Sequence, residues 1–105
     1  MDRMVSKVLV RAAKLIDRGW CRGAYAKTAT GRSCSGLSRH AARWCVRGAI
    51  WAAADRMGQD RRPAFAVVER LVPTELVYWN DTIAKNKRQV AALLRRAAES
   101  AEATP

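Results

Sequence analysis

The chain has 105 residues, half of them apolar, which fits a single domain over residues 1–105 with a core of modest size. Twenty Lys and Arg against nine Asp and Glu give a formal net charge of +11. Such an excess attracts nucleic acid, anionic membranes and acidic protein surfaces, but it does not name the partner. No apolar run approaches the roughly 18 residues of a membrane-spanning helix, so we expect no membrane span.

The first predicted element is an amphipathic helix that begins near residue 3 and ends at Gly19, a natural helix stop. Apolar residues recur at helical spacing between Met4 and Ile16. Basic residues occupy the opposite side, and at about 100° per residue they fall within one narrow stripe. The stripe consists of Arg3, Lys7, Arg11, Lys14 and Arg18.

The helical period disappears over residues 20–36, a stretch rich in Gly, Ser and Thr. Residues 24–26 and 32–34 can pair as a short β-hairpin across Thr28 to Gly31. An irregular loop is the alternative, and a loop of this length in a small domain is often functional or mobile.

A second helix is predicted from Arg39 to Met57, with Ser38 as its N-cap and Gly58 after its end. The helix is apolar nearly all round, which is typical of a central, buried helix. Gly48 within it costs about 1 kcal/mol relative to Ala, so we expect another backbone to approach closely there.

Two further helices follow. Pro63 is a good first residue for a helix that continues to about Val72, where Pro73 stops it. Residues 76–80 form a connection or a single turn, and Asn80, Asp81 or Asn86 caps a last helix. Residues 99–105 are predicted to be a frayed tail. The predicted fold class is therefore all-α, a compact four-helix domain with an irregular loop or short β-hairpin between helices 1 and 2.

The cysteines and the single histidine are the first candidates for site chemistry. Cys21, Cys34, His40 and Cys45 supply the residue types of a zinc site, but no pair of closely spaced cysteines is present. Cys34 near His40 and several Arg can also be considered as a nucleophile. We favour free thiols in a reducing cytosol, so we predict no metal, no cofactor and no catalytic residue, and leave zinc binding open.

The basic residues are the stronger signal. We predict that the stripe of the first helix joins basic residues of the 20–36 segment and of the last helix in one cationic surface. The added residues are Arg22, Lys27, Arg32, Lys85, Lys87 and Arg88. Such a surface suits an acidic protein or the phosphates of a nucleic acid. The sequence has no helix-turn-helix, zinc-finger or RNA-binding sheet motif that would decide between the two.

The segment Trp79-Asn80-Asp81 is the last candidate. A Trp anchors well in a core, and Asn or Asp after it satisfies the free amides of a helix start. We therefore interpret the segment as an anchor followed by a cap, with a buried functional carboxylate at Asp81 as the alternative.

Two blocks of the sequence carry a resemblance. The first is an opening amphipathic helix that ends in Gly-Trp and is followed by a Gly-Ala-Tyr loop; the second is Trp-Cys-Val-Arg-Gly-Ala-Ile, followed later by Trp-Asn-Asp. Together they resemble an uncharacterised family of small bacterial and phage helical proteins, a domain of unknown function. The resemblance implies an all-helical domain and no activity. The positions treated as structural markers are Trp20, Trp44, Cys45, Gly48, Ala49, Trp79, Asn80 and Asp81.

From these observations we expect a cytoplasmic, non-enzymatic interaction or accessory module that presents a cationic surface to an acidic macromolecular partner. A phage or mobile-element origin fits this expectation by analogy alone. The alternative is a non-specific nucleic-acid-binding protein that uses the same Arg and Lys residues. Residues 1–18 lack the continuous apolar core of a signal peptide, which supports the cytoplasmic expectation.

Overall fold

The computed structural model describes residues 2–103, which contain five helices, a three-stranded antiparallel sheet and one π-helical turn. The elements in chain order are α1 (Arg3–Arg18), β1 (Ala26–Thr28), β2 (Ser33–Cys34), β3 (Ala41–Trp44), α2 (Val46–Arg56), α3 (Arg62–Glu69), α4 (Leu76–Tyr78), the π-helical turn (Trp79–Ile83) and α5 (Lys87–Ala103). The prediction of a mostly helical domain is confirmed. The prediction of an all-α, four-helix domain is wrong because of the sheet and the additional short helix.

Helix α1 has the predicted bounds. The Asp2 side chain caps it by accepting a hydrogen bond from the Val5 amide at 3.0 Å. The helix ends at Gly19, whose backbone is extended (φ −178°). A Cβ at Gly19 would lie 2.3 Å from the Ala42 carbonyl oxygen. Glycine is therefore needed here because β3 passes close to the end of α1.

Of the two alternatives for residues 20–36, an irregular loop and a short β-hairpin, the structure has the hairpin. β1 is the central strand, in the order β2-β1-β3, and it pairs with β2 through Ala26 opposite Cys34 and Lys27 opposite Ser33. Gly31, at φ 89°, takes the left-handed conformation in the turn. The strand begins at Ala26, so only the last residue of the predicted segment 24–26 belongs to it.

The predicted helix from Arg39 to Met57 is wrong in its first seven residues. Residues 41–44 form β3, which pairs with β1. The Trp44 side chain is 1% exposed, and its Nε1 donates to the Gly36 carbonyl at 3.3 Å. The pairing and the burial of this indole override the helical propensity of the Ala-rich segment. Ser38 is consequently not the cap of α2.

Helix α2 instead begins after Cys45, whose Sγ accepts a hydrogen bond from the Gly48 amide at 3.3 Å. A thiol thus stands where a hydroxyl or carboxylate is usual. The predicted close approach at Gly48 is present, because a Cβ there would lie 2.0 Å from the Tyr25 carbonyl oxygen. This contact fixes Tyr25, the residue before β1, against the start of α2.

The later helices follow the predicted order with different ends. Pro63 lies in the first turn of α3, which stops at Glu69, three residues before the predicted end. Asn86 is the residue that caps α5, since its Oδ1 accepts from the Gln89 amide at 3.0 Å. The prediction of a frayed tail from residue 99 is wrong for residues 99–103, because α5 continues to Ala103. Residues 104 and 105 lie outside the described residues.

The core lies between α1 and its two neighbours. α1 packs most extensively against α5 and next against α2. α1 and α5 run antiparallel, with the Asp2 amide donating to the Ala101 carbonyl at 3.1 Å. As predicted, α2 is buried nearly all round. Alanines fill much of the space between the helices, which allows them to approach closely around a few large side chains.

Candidate functional site

A basic groove runs along the solvent side of α1. It has a volume of about 590 Å³ and lies between α1, the end of α2 and the end of α5. Four residues of the predicted stripe line it, and α2 adds a fifth basic residue. These residues are Lys7, Arg11, Lys14, Arg18 and Arg56. We call the depression that these residues line the basic groove.

Arg18 and Arg56 both line the basic groove, and each guanidinium lies near the same buried indole ring beneath it. Their guanidinium carbons lie 5.8 Å and 6.0 Å from the centre of the Trp44 ring. Both distances lie near the limit of about 6 Å for cation–π attraction, which favours these positions of the two guanidiniums. Since Trp44 is buried, the ring is a fixed support for them.

The positive charges of the basic groove are not neutralised within the described residues. The two ion pairs of residues 2–103 join Asp60 to Arg62 at 2.7 Å and Asp17 to Arg95 at 2.6 Å, and none of these residues lines the groove. Glu102 is the carboxylate that does line it, near Ser6, whose Oγ lies 3.5 Å from Glu102 Oε2. The groove therefore keeps its excess positive charge.

Two of the other predicted basic residues, Arg22 and Lys87, are engaged in contacts within the fold. Arg22 donates from its guanidinium to the Ala84 carbonyl, and its Cζ lies 5.0 Å from the centre of the Trp20 ring. Lys87 Nζ donates to the Asp17 carbonyl at 3.1 Å. These contacts tie the loop after α1 and the start of α5 to their neighbours, away from the basic groove.

The remaining predicted residues are distributed around the molecule. Lys27 is in β1 and Arg32 is at the tip of the hairpin, whereas Arg88 is exposed on α5. Lys85 lines a separate depression beside Trp79. Arg3 is exposed on α1 but is not among the groove residues. The basic groove thus brings together four of the eleven predicted basic residues. It also contains Arg56, which was not predicted from the sequence. The signal for Arg56 was a basic residue in the last turn of an otherwise apolar helix.

Asn80 is a fully buried hydrogen-bond centre in the π-helical turn. Its Oδ1 accepts from Trp20 Nε1 at 2.9 Å and from the Val46 amide at 3.0 Å. Its Nδ2 donates to the Cys21 carbonyl at 3.1 Å and to Asp81 Oδ1 at 2.9 Å. All four hydrogen-bonding positions of the amide are occupied. Asn80 therefore caps the start of α2 from another part of the chain, rather than α5 as the sequence allowed.

A second concave site, the acidic cleft, lies between the hairpin and the π-helical turn. It has a volume of about 540 Å³ and a mainly apolar lining. Asp81 supplies its carboxylate, with Oδ1 accepting a hydrogen bond from the Gly23 amide at 3.1 Å. Tyr25, Cys34 and Val77 are among the other lining residues. The sequence indicated Asp81, but not the cleft, because the cleft forms only when the hairpin and the turn meet.

The three cysteines are free and differ in their surroundings. Burial, with a smaller contribution from the neighbouring thiol of Cys45, raises the pKa of the Cys21 thiol to about 11. Burial also raises the pKa of Cys45. Cys34 is partly exposed in the acidic cleft, whereas His40 is exposed before β3. Within residues 2–103, no three His, Cys, Asp or Glu side chains are grouped so that they could hold a metal ion.

These features define a small, mostly helical domain in which the Asn80 amide joins the loop after α1, the start of α2 and a π-helical turn. The model of one family matches residues 1–100, so the chain belongs to DUF6197, a family of unknown function. The resemblance to an uncharacterised domain is confirmed. No curated protein and no solved structure gives a significant match. In the described part of the chain, no helix combines the length and hydropathy needed to cross a bilayer.

Proposed function

We propose that this domain is an interaction module whose basic groove binds an acidic, amphipathic helix of a partner protein. The observation that carries the proposal is the position of Arg18 and Arg56 beside Trp44, with no ion pair to either guanidinium among residues 2–103. Within residues 2–103 no ion pair neutralises Arg18 or Arg56, so the like charges that line the basic groove repel one another through space. An anionic group bound in the basic groove would relieve that repulsion.

The spacing of the groove residues suits a helical partner. Lys7, Arg11, Lys14 and Arg18 follow one another at three or four positions along α1, which corresponds to steps of about 5–6 Å. Acidic residues at three- or four-residue spacing on a second helix repeat at the same interval. Two helices that lie side by side can therefore match several charges at once.

The floor of the basic groove supports a protein partner over a nucleic acid. Val10, Leu15 and Met57 line it; Val10 is 36% exposed and Met57 is partly exposed, whereas Leu15 is buried. Apolar residues in a groove are what an amphipathic helix requires for its own apolar side chains. Base stacking would require exposed aromatic rings, but the exposed rings of Tyr25 and Tyr78 are not among the groove residues.

The experiment measures fluorescence anisotropy of a labelled helical peptide of about five turns, with Glu at four-residue spacing beside a stripe of Leu. The test variant combines Arg11→Glu and Lys14→Glu. The matched control combines Arg32→Glu and Arg88→Glu, which changes the net charge by the same amount outside the groove. A peptide of the same composition with the Leu stripe scrambled tests the role of the apolar floor.

We expect the groove variant to weaken peptide binding by about tenfold or more, which corresponds to about 1.4 kcal/mol. The control variant should weaken it much less, and the scrambled peptide should bind less tightly than the striped one. Equal losses in the two variants would contradict the proposal, because they would mean attraction by net charge alone. Tighter binding of generic duplex DNA, with a steep loss of affinity in salt, would assign the groove to nucleic acid instead.

A further inference from the structure

The acidic cleft is a second site that the proposed function does not use. Its volume of about 540 Å³ lies within the range of about 300–1,000 Å³ that is usual for small-molecule sites. Such sites combine a mainly apolar lining with a few polar groups in fixed positions. The cleft has this character, since Tyr25 and Val77 accompany the carboxylate of Asp81.

The Asp81 carboxylate is held in place through one of its two oxygens. Oδ1 accepts hydrogen bonds from the Gly23 amide at 3.1 Å and from Asn80 Nδ2 at 2.9 Å. No group among residues 2–103 donates to Oδ2. Every buried side-chain oxygen and nitrogen of the described residues has a hydrogen-bond partner. Since Oδ2 has none, it is not buried and is accessible to solvent. Asp81 thus presents one fixed, free oxygen.

Asp81 is one of seven acidic residues that form no ion pair within residues 2–103, although the chain has a net charge of +11. Asp17 and Asp60 each pair with an arginine in the described part of the molecule. Arg22 is close in sequence to Gly23, but its guanidinium is engaged with the Ala84 carbonyl and the Trp20 ring. The fold therefore directs a nearby cation away from the cleft and leaves the carboxylate available.

The wall of the cleft that carries Tyr25 is also fixed. The Tyr25 ring meets the Trp51 ring edge-on, with the ring centres 6.1 Å apart. Its backbone is in close contact with Gly48, which has no space for a side chain. Tyr25 is nevertheless 47% exposed, so much of this supported side chain remains accessible. A preformed site of this kind binds without first ordering its own residues.

We propose that the acidic cleft binds a small organic cation with an aromatic or other apolar body. The ammonium or guanidinium group of such a molecule donates to Asp81 Oδ2, and its apolar body lies against Tyr25 and Val77. This assignment is independent of the basic groove, which attracts the opposite charge.

The experiment titrates the full chain with phenethylamine and, separately, with phenethyl alcohol, which has the same aromatic body without the charge. Binding is followed by the ¹H–¹⁵N signal of Gly23, whose amide donates to Asp81 Oδ1. Protection of Cys34 from iodoacetamide gives a second measure of occupancy, since Cys34 lines the cleft. Asp81→Asn is the test variant because its amide oxygen can still accept the Gly23 hydrogen bond. Asp55→Asn, on the exposed side of α2, is the matched control.

We expect phenethylamine to bind about 10- to 100-fold more tightly than phenethyl alcohol, the range expected for a hydrogen bond to a charged group. Asp81→Asn should remove that preference, and Asp55→Asn should retain it. Thermal unfolding of each variant verifies that the fold is intact. Equal binding of the amine and the alcohol, an unchanged preference in Asp81→Asn, or no binding of the amine at millimolar concentration would overturn the proposal.

Discussion

Asn80 Oδ1 accepts a hydrogen bond from Trp20 Nε1 at 2.9 Å, although 60 positions separate the two residues in the chain. The same oxygen accepts from the Val46 amide at the start of α2. Several of the marker positions identified in the sequence therefore meet at one amide. Their contacts join the loop after α1 to the π-helical turn.

Replacing Asn80 should be among the most destabilising changes to this protein. In Asn80→Ala the Trp20 indole N–H, the Val46 amide and the Cys21 carbonyl all lose their partner. We expect a loss of about 3 kcal/mol or more in the free energy of unfolding, because each unsatisfied buried group costs about 1–3 kcal/mol. Urea unfolding measures it. Asn86→Ala, which removes an exposed helix cap, should cost only about 1 kcal/mol, and similar losses in the two variants would contradict the assigned role of Asn80.

The helices could largely be predicted from the sequence, whereas the sheet could not. The spacing of apolar residues identified α1, one face of which is buried, and the nearly continuous apolar character of residues 46–56 identified the body of α2. β3 was missed because residues 41–44 have the local preferences of a helix. Their conformation is set by pairing with β1 and by burial of Trp44, and these interactions depend on residues far away in the chain.

Gly48→Ala should be more destabilising than a glycine replacement in open space. The added Cβ would lie 2.0 Å from the Tyr25 carbonyl oxygen, so the backbone of Tyr25 or the start of α2 must move. We expect a loss of about 1–3 kcal/mol, as for overpacking in other cores. Gly31→Ala is the control, since φ is 89° there and no atom lies within 4 Å of the added Cβ.

In Gly31→Ala the loss comes from the left-handed backbone conformation alone, and we expect it to lower the free energy of unfolding by about 1–2 kcal/mol. Chemical unfolding of both variants separates steric overlap from backbone strain. If Gly48→Ala proved as stable as the parent chain, the close contact between Tyr25 and α2 would be refuted.

The three thiols should react with iodoacetamide at different rates. The thiolate is the reacting form, and burial raises the pKa of Cys21 to about 11 and also raises that of Cys45. Both groups are therefore protonated as well as inaccessible near pH 8, whereas Cys34 is partly exposed. We expect Cys34 to be modified first, as peptide mass spectrometry would establish. Modification of Cys21 at the rate of Cys34 would contradict the burial described.

The raised pKa of Cys21 also predicts how stability depends on pH. An unfolded cysteine ionises near its ordinary pKa of 9.0, below the folded value of about 11. The folded state therefore binds the thiol proton more tightly than the unfolded state does. This difference contributes fully to the free energy of unfolding below pH 9, and the contribution is lost as the pH rises toward 11. Urea unfolding at several alkaline pH values should show this fall. Cys21→Ala should reduce it, and an unchanged pH profile in that variant would assign the fall to other groups.

The candidate sites could be predicted only in part, for a geometric reason. The stripe on α1 follows from helical spacing, and four of its residues line the basic groove. Arg56 and the acidic cleft depend on how α2 and the hairpin pack, which no local pattern in the chain encodes. Lys87 and Arg22 were expected to extend the cationic surface, but hydrogen bonds to backbone carbonyls place them elsewhere.

The end of α5 provides a last test, because the sequence predicted a frayed tail where the structure has a packed helix. Ala101 is 6% exposed, and its carbonyl accepts from the Asp2 amide at 3.1 Å. Ala101→Glu should destabilise the protein by about 2 kcal/mol or more, since it forces a charge against the start of α1. Ala103→Glu is the control, because Ala103 is exposed on the same helix. Thermal and urea unfolding of the two variants measure this difference. Equal stability of the two variants would mean that the end of α5 is frayed in solution.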